Sequence, residues 1–429
     1  ADDGAMGDIF GVSVAISGAT AIIGSANHDD NGYWSGSVYL FDTTTGQQLS
    51  KLLADDGAVW DRFGESVAIS GTTAIVGAPQ NFNDGNGSAY LFDISDPTNP
   101  LQIAKLLAND GAEDDRFGVS VAISGPTAIV GAWRDDDNGI NSGSAYLFDV
   151  STGRQLFKLL ADDGEVGDRF GESVAISGTT AIIGARTHAL IGAAYLFDAN
   201  TGAQIAKLLP DDGVGGDQFG VSVAISDPPG KETAIVGAWL DDDNGQASGS
   251  AYVFDISDPA TPVQIAKLLA EDGAAGDRFG RSVAISPDGI GTAIVGAFED
   301  DDNGANSGSA YLFDVTTGRQ LFKLLADDAA AVDEFGISVA INGATAITGA
   351  SLDDDNGKSS GSAYLFDAAG TPGKCPWDLD GNGSVGASDL LSLLVSWGPC
   401  KGCPADFDGN GNVGESDLLA LLANWGPCP

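Results

Sequence analysis

"DRFGESVAISGTTAIVGAP", residues Asp61–Pro79, opens on a Phe-Gly pair and continues as two short Val/Ile/Ala runs split by "SGTT". Such runs, bounded by Gly, Ser and Thr, predict two short strands. The Phe-Gly pair recurs at Phe10–Gly11, Phe63–Gly64, Phe117–Gly118, Phe170–Gly171, Phe219–Gly220, Phe279–Gly280 and Phe335–Gly336, with a period of 49 to 60 residues. Each copy continues through "SVAIS", "TAIVGA" and "GSAYLFD" or close variants, and six of the seven run on through "QIAKLLA" or a relative into the next copy. Every unit therefore offers four short strands.

A four-stranded unit repeated seven times predicts an all-β fold, a seven-bladed β-propeller over residues 1–370; a β-solenoid, the rival, usually has shorter repeats. "AYLF" is apolar without alternation, as expected where both faces of a sheet are covered. Lys51, Lys105, Lys158, Lys207, Lys267 and Lys323 fall in the last, outermost strand, where a charge discourages edge pairing. Asp8, Asp61, Asp115, Asp168, Asp217, Asp277 and Asp333 each stand two residues before a Phe, a recurrence that predicts a repeated structural task such as capping a turn.

The stretch Asp61–Pro79 resembles an FG-GAP repeat, the unit of integrin-α-type propellers and of many bacterial surface proteins. The resemblance covers about residues 1–370 and implies a propeller used for extracellular binding or assembly. Integrin-type calcium loops lie between the first and second strands, where this chain has only "SGTT", so those calcium residues have no counterpart here. The pattern is closer to the bacterial variety of the repeat.

The acid lies elsewhere. "DDDNG" and its variants link the second strand to the third, while "ADDG" and its relatives link one unit to the next. In an up-and-down blade both links fall on the same face of the disc, so the two acidic loops should crowd together. Crowded carboxylates raise one another's pKa or recruit a cation, and calcium takes six to eight oxygens. Asp135, Asp137, Asp241, Asp243, Asp300, Asp302, Asp353 and Asp355 are the candidate calcium ligands; the alternative is a solvated polar loop. Unit four departs most, with "RTHALIGAAYLFD" carrying Arg186, His188 and Leu190, read as drift or as a contact surface.

Composition agrees with an extracellular protein. Nineteen basic against 61 acidic residues give a net charge of −42 over 429 residues, which excludes nucleic acid and anionic membrane surfaces as partners. No run approaches the ~20 apolar residues that cross a bilayer, so no membrane insertion is expected. Met6 is the only methionine, read as a secreted chain whose signal peptide has been removed. The sequon at Asn86 is a candidate glycosylation site.

After a linker at 371–374, residues 375–429 form a different module. "CPWDLDGNGSVGASDLLSLLVSWGPC" (Cys375–Cys400) repeats 28 residues later as "CPADFDGNGNVGESDLLALLANWGPC" (Cys403–Cys428). Each copy holds oxygen-bearing residues at the calcium-loop positions with Gly at the turn, then a helix. The first set is Asp378, Asp380, Asn382, Ser384 through its carbonyl, and Asp389. The second is Asp406, Asp408, Asn410, Asn412 through its carbonyl, and Asp417. This pair of EF-hand-like loops, with Asp rather than Glu at the last position, resembles a type I dockerin. That family binds two calcium ions and docks onto a partner protein. The partner-choosing positions read Ala387–Ser388 in one half and Glu415–Ser416 in the other. The cysteines fit no common zinc spacing, so Cys375, Cys400, Cys403 and Cys428 are expected as disulfides. Pseudo-twofold packing pairs Cys375 with Cys428 and Cys400 with Cys403; pairing within each repeat is the alternative.

Seven first strands meet only six "KLL" last strands, and the sequence begins at "ADDG", just after the place of the seventh: either residues before Ala1 supply that strand, or unit seven has an open edge at Gly361–Asp367 to be filled by a neighbour or by the 368–375 linker. An open edge accepts a strand. The first functional reading is a calcium-binding structural or assembly protein of a cell surface or extracellular filament, with a protein partner or copies of itself docking at the C-terminal module and at this edge. The second is an adhesin binding glycans or proteins. A carbohydrate-active enzyme is third, because His28 and His188 accompany no recognisable nucleophile.

Overall fold

The computed structural model describes residues 1–80, 85–226, 232–287, 289, 291–368, 384–399, 405, 412–423 and 425–427. It divides into two compact units, 1–366 and 367–429. Blade one comprises Phe10–Ser17, Thr20–Ser25, Ser37–Asp42 and Gln48–Leu52, paired antiparallel in that order. Blades two to six repeat the order over 66–106, 120–159, 173–208, 219–268 and 282–324. Among the described residues blade seven has three strands, Phe335–Asn342, Thr345–Ala350 and Ser362–Asp367. The fold is thus the seven-bladed all-β propeller, with two short helices towards the C-terminus.

The repeated phrases each have a packing task. In "AYLF" the Tyr and the residues around it are buried on both faces in blades two to six. The Phe of each Phe-Gly pair meets this Tyr edge-on, with centroids 5.4–5.6 Å apart. It meets the Phe two residues further along at 5.6–6.0 Å. Edge-to-face pairs of this kind add about 0.5–1.5 kcal/mol beyond area burial. The Phe backbone is bonded to the preceding blade: Phe63 N–H donates to Ser35 O at 2.9 Å, and Phe10 N–H to Ser360 O of blade seven at 2.9 Å.

A serine in each first strand then donates to the carbonyl of the next blade's Phe-Gly glycine. Ser13, Ser66, Ser120, Ser173, Ser222, Ser282 and Ser338 reach Gly64, Gly118, Gly171, Gly220, Gly280, Gly336 and Gly11 at 2.7–2.9 Å. The last of these bonds closes the ring. Two glycines make the approach feasible. The Phe-Gly glycine has φ between +87° and +95°. The glycine of "TAIVGA", such as Gly237, would place a Cβ 2.0 Å from the neighbouring Gly280 oxygen.

In the second unit, Ser384–Val385 pairs with Gly426–Pro427 and Gly398–Pro399 with Asn412–Val413, beside helices α1 (Ala387–Val395) and α2 (Glu415–Ala423). Val385, Leu393, Ala405, Val413 and Leu421 form a small core. The 371–374 linker lies outside the described residues.

Gly237→Ala should destabilise the propeller by about 3 kcal/mol or more, since backbone must move to admit the methyl group. Gly125→Ala, at an uncrowded turn with φ +52°, should cost only about 1–2 kcal/mol. Urea midpoints of the two variants measure the difference.

Candidate functional site

In blade three the link after the second strand folds around its own aspartates. Asp136 accepts the Asn141 N–H at 2.7 Å and Asp135 the Asp137 N–H at 3.1 Å, while Ser142 donates to the Asp135 carbonyl at 3.2 Å. Asp135 is buried, and the place where its carboxylate meets those of Asp110 and Asp137 holds an ammonium. Lys158 Nζ lies 2.7 Å from Asp110, 2.9 Å from Asp135 and 2.6 Å from Asp137. The Tyr146 hydroxyl donates to Asp135 at 2.8 Å. Blade five repeats the set with Lys267 on Asp212, Asp241 and Asp243 at 2.8, 3.1 and 2.6 Å. Blade six repeats it with Lys323 on Asp272, Asp300 and Asp302 at 2.7, 3.1 and 2.5 Å. In all six complete blades the lysine nitrogen also stands 5.0–5.4 Å from the centroid of the "AYLF" tyrosine, a cation–π distance.

The two acidic loops of a blade therefore do share a face, and in blades three, five and six the cation between them is the blade's own lysine. This revises the edge-gatekeeper role for the lysines. They sit in the outer strand as expected, but their charge is turned onto a tyrosine face and into carboxylates rather than out to deter pairing. Burial opposes ionisation of Asp135, yet hydrogen bonds from Lys158 and Tyr146 outweigh it and hold the carboxyl below its ordinary range. Desolvation likewise works against the Lys158 ammonium, and its carboxylate partners overcome it and raise the pKa.

The remaining blades are variants of this device. Lys105 pairs, among the described residues, with Asp56 at 2.6 Å. Blade four puts His188 at the place of Asp135: its Nδ1 lies 2.8 Å from Asp168 and its Nε2 2.7 Å from Lys207 Nζ. Blade one puts His28 there, within 3.5–3.8 Å of Asp3, Asp8 and Asp30, with Lys51 bonded to Asp3 and Asp30. Both histidines thus occupy one structural position. The departure of blade four keeps a lysine partner in place. Blade seven retains the carboxylates, Tyr364 donating to Asp328 at 2.9 Å and to Asp353 at 2.8 Å, but no lysine is paired with Asp328, Asp353 or Asp355 among the described residues.

The aspartates two residues before each Phe cap a turn, accepting the N–H three residues earlier at 2.6–2.7 Å in all seven copies. Burial pushes Asp115 and Asp277 up to about 6. Asn86 is exposed, and its amide donates to Gly111 O at 2.8 Å.

Two groups were not foreseen. Tyr33, Trp34 and Trp60 pack together across blades one and two with centroids 4.8–5.0 Å apart, and Tyr33 and Trp60 are exposed. Around Trp133 and Trp239, arginines 134, 169 and 278 stack at 4.6–4.8 Å. These residues fall in the least repetitive positions of each unit, so no internal pattern marked them. The Gln three residues before each outer-strand lysine, in contrast, was legible as a recurrence. Gln48, Gln102, Gln155, Gln204, Gln264 and Gln320 each accept a backbone N–H from the "ADDG"-type loop entering their blade, at 2.9–3.0 Å.

Of the ten C-terminal candidate ligands, four are described. Asp389 and Asp417 are fully buried in the first turns of α1 and α2, where they accept the N–H groups of Gly386 and Gly414 at 2.8 Å. Ser384 and Asn412 lie in the short paired strands. Asp378, Asp380, Asn382, Asp406, Asp408, Asn410 and the cysteines at 375, 400, 403 and 428 lie outside the described residues.

Lys158→Met removes the partner of a buried carboxylate and should destabilise the protein by about 3–5 kcal/mol. Lys105→Met leaves, among the described residues, only the half-exposed Asp56 and should cost about 1 kcal/mol or less; denaturant titration compares the two. Asp115 and Asp277 hold protons in the folded state between about pH 6 and their unfolded value near 4. Their contribution therefore stabilises the protein as pH falls through that window, by up to about 3 kcal/mol each. Asp56, Asp135, Asp163, Asp212 and Asp272 are lowered, and their contribution is lost below about pH 4. The melting temperature should be higher at pH 5 than at pH 8, and the double variant Asp115→Asn/Asp277→Asn should flatten that rise.

The FG-GAP repeat model matches residues 1–41, 47–92, 101–148, 154–197, 203–254, 262–313 and 319–366. Each later match begins at an outer strand and ends at the following "YLF" strand, so its limits fall between the observed third and fourth strands. No curated protein matches the chain. With seven matched repeats spanning most of its length, the chain belongs to the FG-GAP repeat family.

Proposed function

We propose that the protein is a secreted, non-catalytic assembly scaffold of a cell surface or extracellular filament, whose C-terminal unit binds two calcium ions and docks a protein partner or further copies of itself. The FG-GAP propeller is a binding and structural fold, and no described helix is long and apolar enough to cross a membrane. The observation that carries the docking is the exposed apolar face of the C-terminal helices. Leu391, Leu394, Val395 and Trp397 in one half, and Leu419, Leu422 and Trp425 in the other, are all exposed. So many exposed apolar side chains on a small module favour a protein–protein contact.

Calcium is supported by the chemistry of the loops. Asp389 and Asp417 are wholly buried carboxylates at equivalent positions, and a buried carboxylate needs a compensating charge or hydrogen bonds. Asp378, Asp380, Asn382 and the Ser384 carbonyl would complete the first site. Asp406, Asp408, Asn410 and the Asn412 carbonyl would complete the second. Calcium supplies the charge that lets these loops close, and Cys375, Cys400, Cys403 and Cys428 as disulfides would hold a module with so small a core. The absence of catalysis is supported by repetition: each histidine serves a lysine–aspartate cluster, and the carboxylates of blades three, five and six are committed to lysine.

A glycan-binding role is the second reading, favoured by the cluster of Tyr33, Trp34 and Trp60, of which Tyr33 and Trp60 are exposed, since aromatic faces stack on sugar rings.

Light scattering and negative-stain microscopy with calcium and then with EGTA test the scaffold. Large particles that dissolve on chelation are the expected result; a compact monomer in both conditions would overturn it. Loss of glycan-array signal in Trp60→Ala would then favour the second reading.

A further inference from the structure

The residue after each Phe-Gly pair leads into the first strand, and the seven first strands pack on one another around the axis of the disc. Four members of this ring are apolar, namely Val12, Val119, Val221 and Ile337. The other three are Glu65, Glu172 and Arg281. All three charged members are only half-buried, so they border an opening on the axis. In a chain with 61 acidic and 19 basic residues, Arg281 is the one cation of the ring.

Each glutamate of the ring already has a partner. Glu65 lies 2.9 Å from the Arg62 guanidinium. Glu172 lies 2.7 Å from that of Arg186, which also donates to Gln218 at 2.7 Å. Arg281, by contrast, makes no ion pair among the described residues. Its guanidinium lies 5.5 Å from the ring centroid of Trp239. The same indole carries Arg278 at 4.8 Å, and Arg278 is itself bound to Glu299 at 2.7 Å. Desolvation above all, and the Arg186 charge, hold the Arg281 pKa below its ordinary value; Glu172, Glu334 and Glu65 oppose this only from a distance. Acids of blades two, four and seven thus face one arginine of blade six across the axis. A desolvated guanidinium without a partner costs free energy that a bound anion would recover.

We propose that the axial opening beside Arg281 binds a sugar acid, a molecule with one carboxylate among several hydroxyls. The Arg281 guanidinium takes the carboxylate through two parallel N–H donors. Its cation–π contact with Trp239 steadies the guanidinium and leaves the N–H edge for the ligand. Because Glu65 and Glu172 each have an arginine of their own, the ring keeps one positive charge over, and that charge matches one carboxylate. The glutamates, acceptors only, suit hydroxyl donors and repel a ligand with further negative charges. The site does not use the Tyr33, Trp34 and Trp60 cluster, and the inference does not rest on the scaffold reading.

The test is isothermal titration calorimetry of the intact chain with D-glucuronate, at an ionic strength fixed with sodium chloride. One saturable site is expected, with D-glucose and citrate bound at least about tenfold more weakly. Arg281→Gln should weaken glucuronate binding at least about tenfold. Arg154→Gln, exposed on the outer strand of blade three, should leave it unchanged. Should Arg281→Gln fail to fold, Arg281→Lys decides: it keeps the charge, loses the planar fork and should weaken binding at least about fivefold. A disaccharide of glucuronate and xylose bound more tightly than the monomer identifies a segment of an acidic glycan, and equal binding a free sugar acid; both support the site. No saturable binding, glucose bound as tightly as glucuronate, or full binding by Arg281→Gln would overturn the proposal. So would binding that is lost in Trp60→Ala and kept in Arg281→Gln. Chelation-sensitive particles that form while glucuronate fails to bind would remove this inference and leave the scaffold reading intact.

Discussion

Everything in the propeller depends on how closely neighbouring first strands approach. Seven serine hydroxyls each donate to a glycine carbonyl of the next blade at 2.7–2.9 Å. The geometry leaves no room for a Cβ on the facing second-strand glycine. Phe and Gly are paired for linked reasons. The glycine takes the positive φ that lets the strand bulge towards the preceding blade, and the phenylalanine before it drops between the Tyr and Phe rings of its own third strand. Ring closure between blades seven and one uses the same bond, Ser338 to Gly11 at 2.7 Å, so the disc closes at its inner rim whether or not the outer rim is complete.

The charge of −42 looks incompatible with so regular a fold until its placement is considered. Much of the acid stands in the two loops of each blade that share a face, and there it is compensated locally. In blades one, three, five and six a lysine reaches up from the outer strand, its stem along the tyrosine and its ammonium among two or three carboxylates. Partial burial makes these pairs stronger than surface salt bridges and also makes their lysines hard to dispense with. Other aspartates, such as Asp136 and the seven that precede each Phe, hold backbone N–H groups and shape the loops.

The repeat made the blades legible before any coordinates. Strand order, the buried "AYLF" stretch, the capping aspartates and the shared face of the acidic loops all follow from local composition read seven times over. The lysine between the carboxylates did not follow. It is 20 or more residues from its partners along the chain, and only the pairing of third and fourth strands brings Lys158 over Tyr146 and beside Asp135. The two histidines were likewise readable only as exceptions in their loops, until the fold placed both at the position of that same aspartate.

The sequence by itself determined the number of blades and their strands, because these are properties of a periodic pattern and periodicity survives without coordinates. Tertiary structure decided what the pattern means at each site. It brought the blade's own lysine among the carboxylates of blades three, five and six, and it showed which glycines touch a neighbouring backbone. Those outcomes depend on distances between segments far apart in the chain, and only closure of the ring sets them.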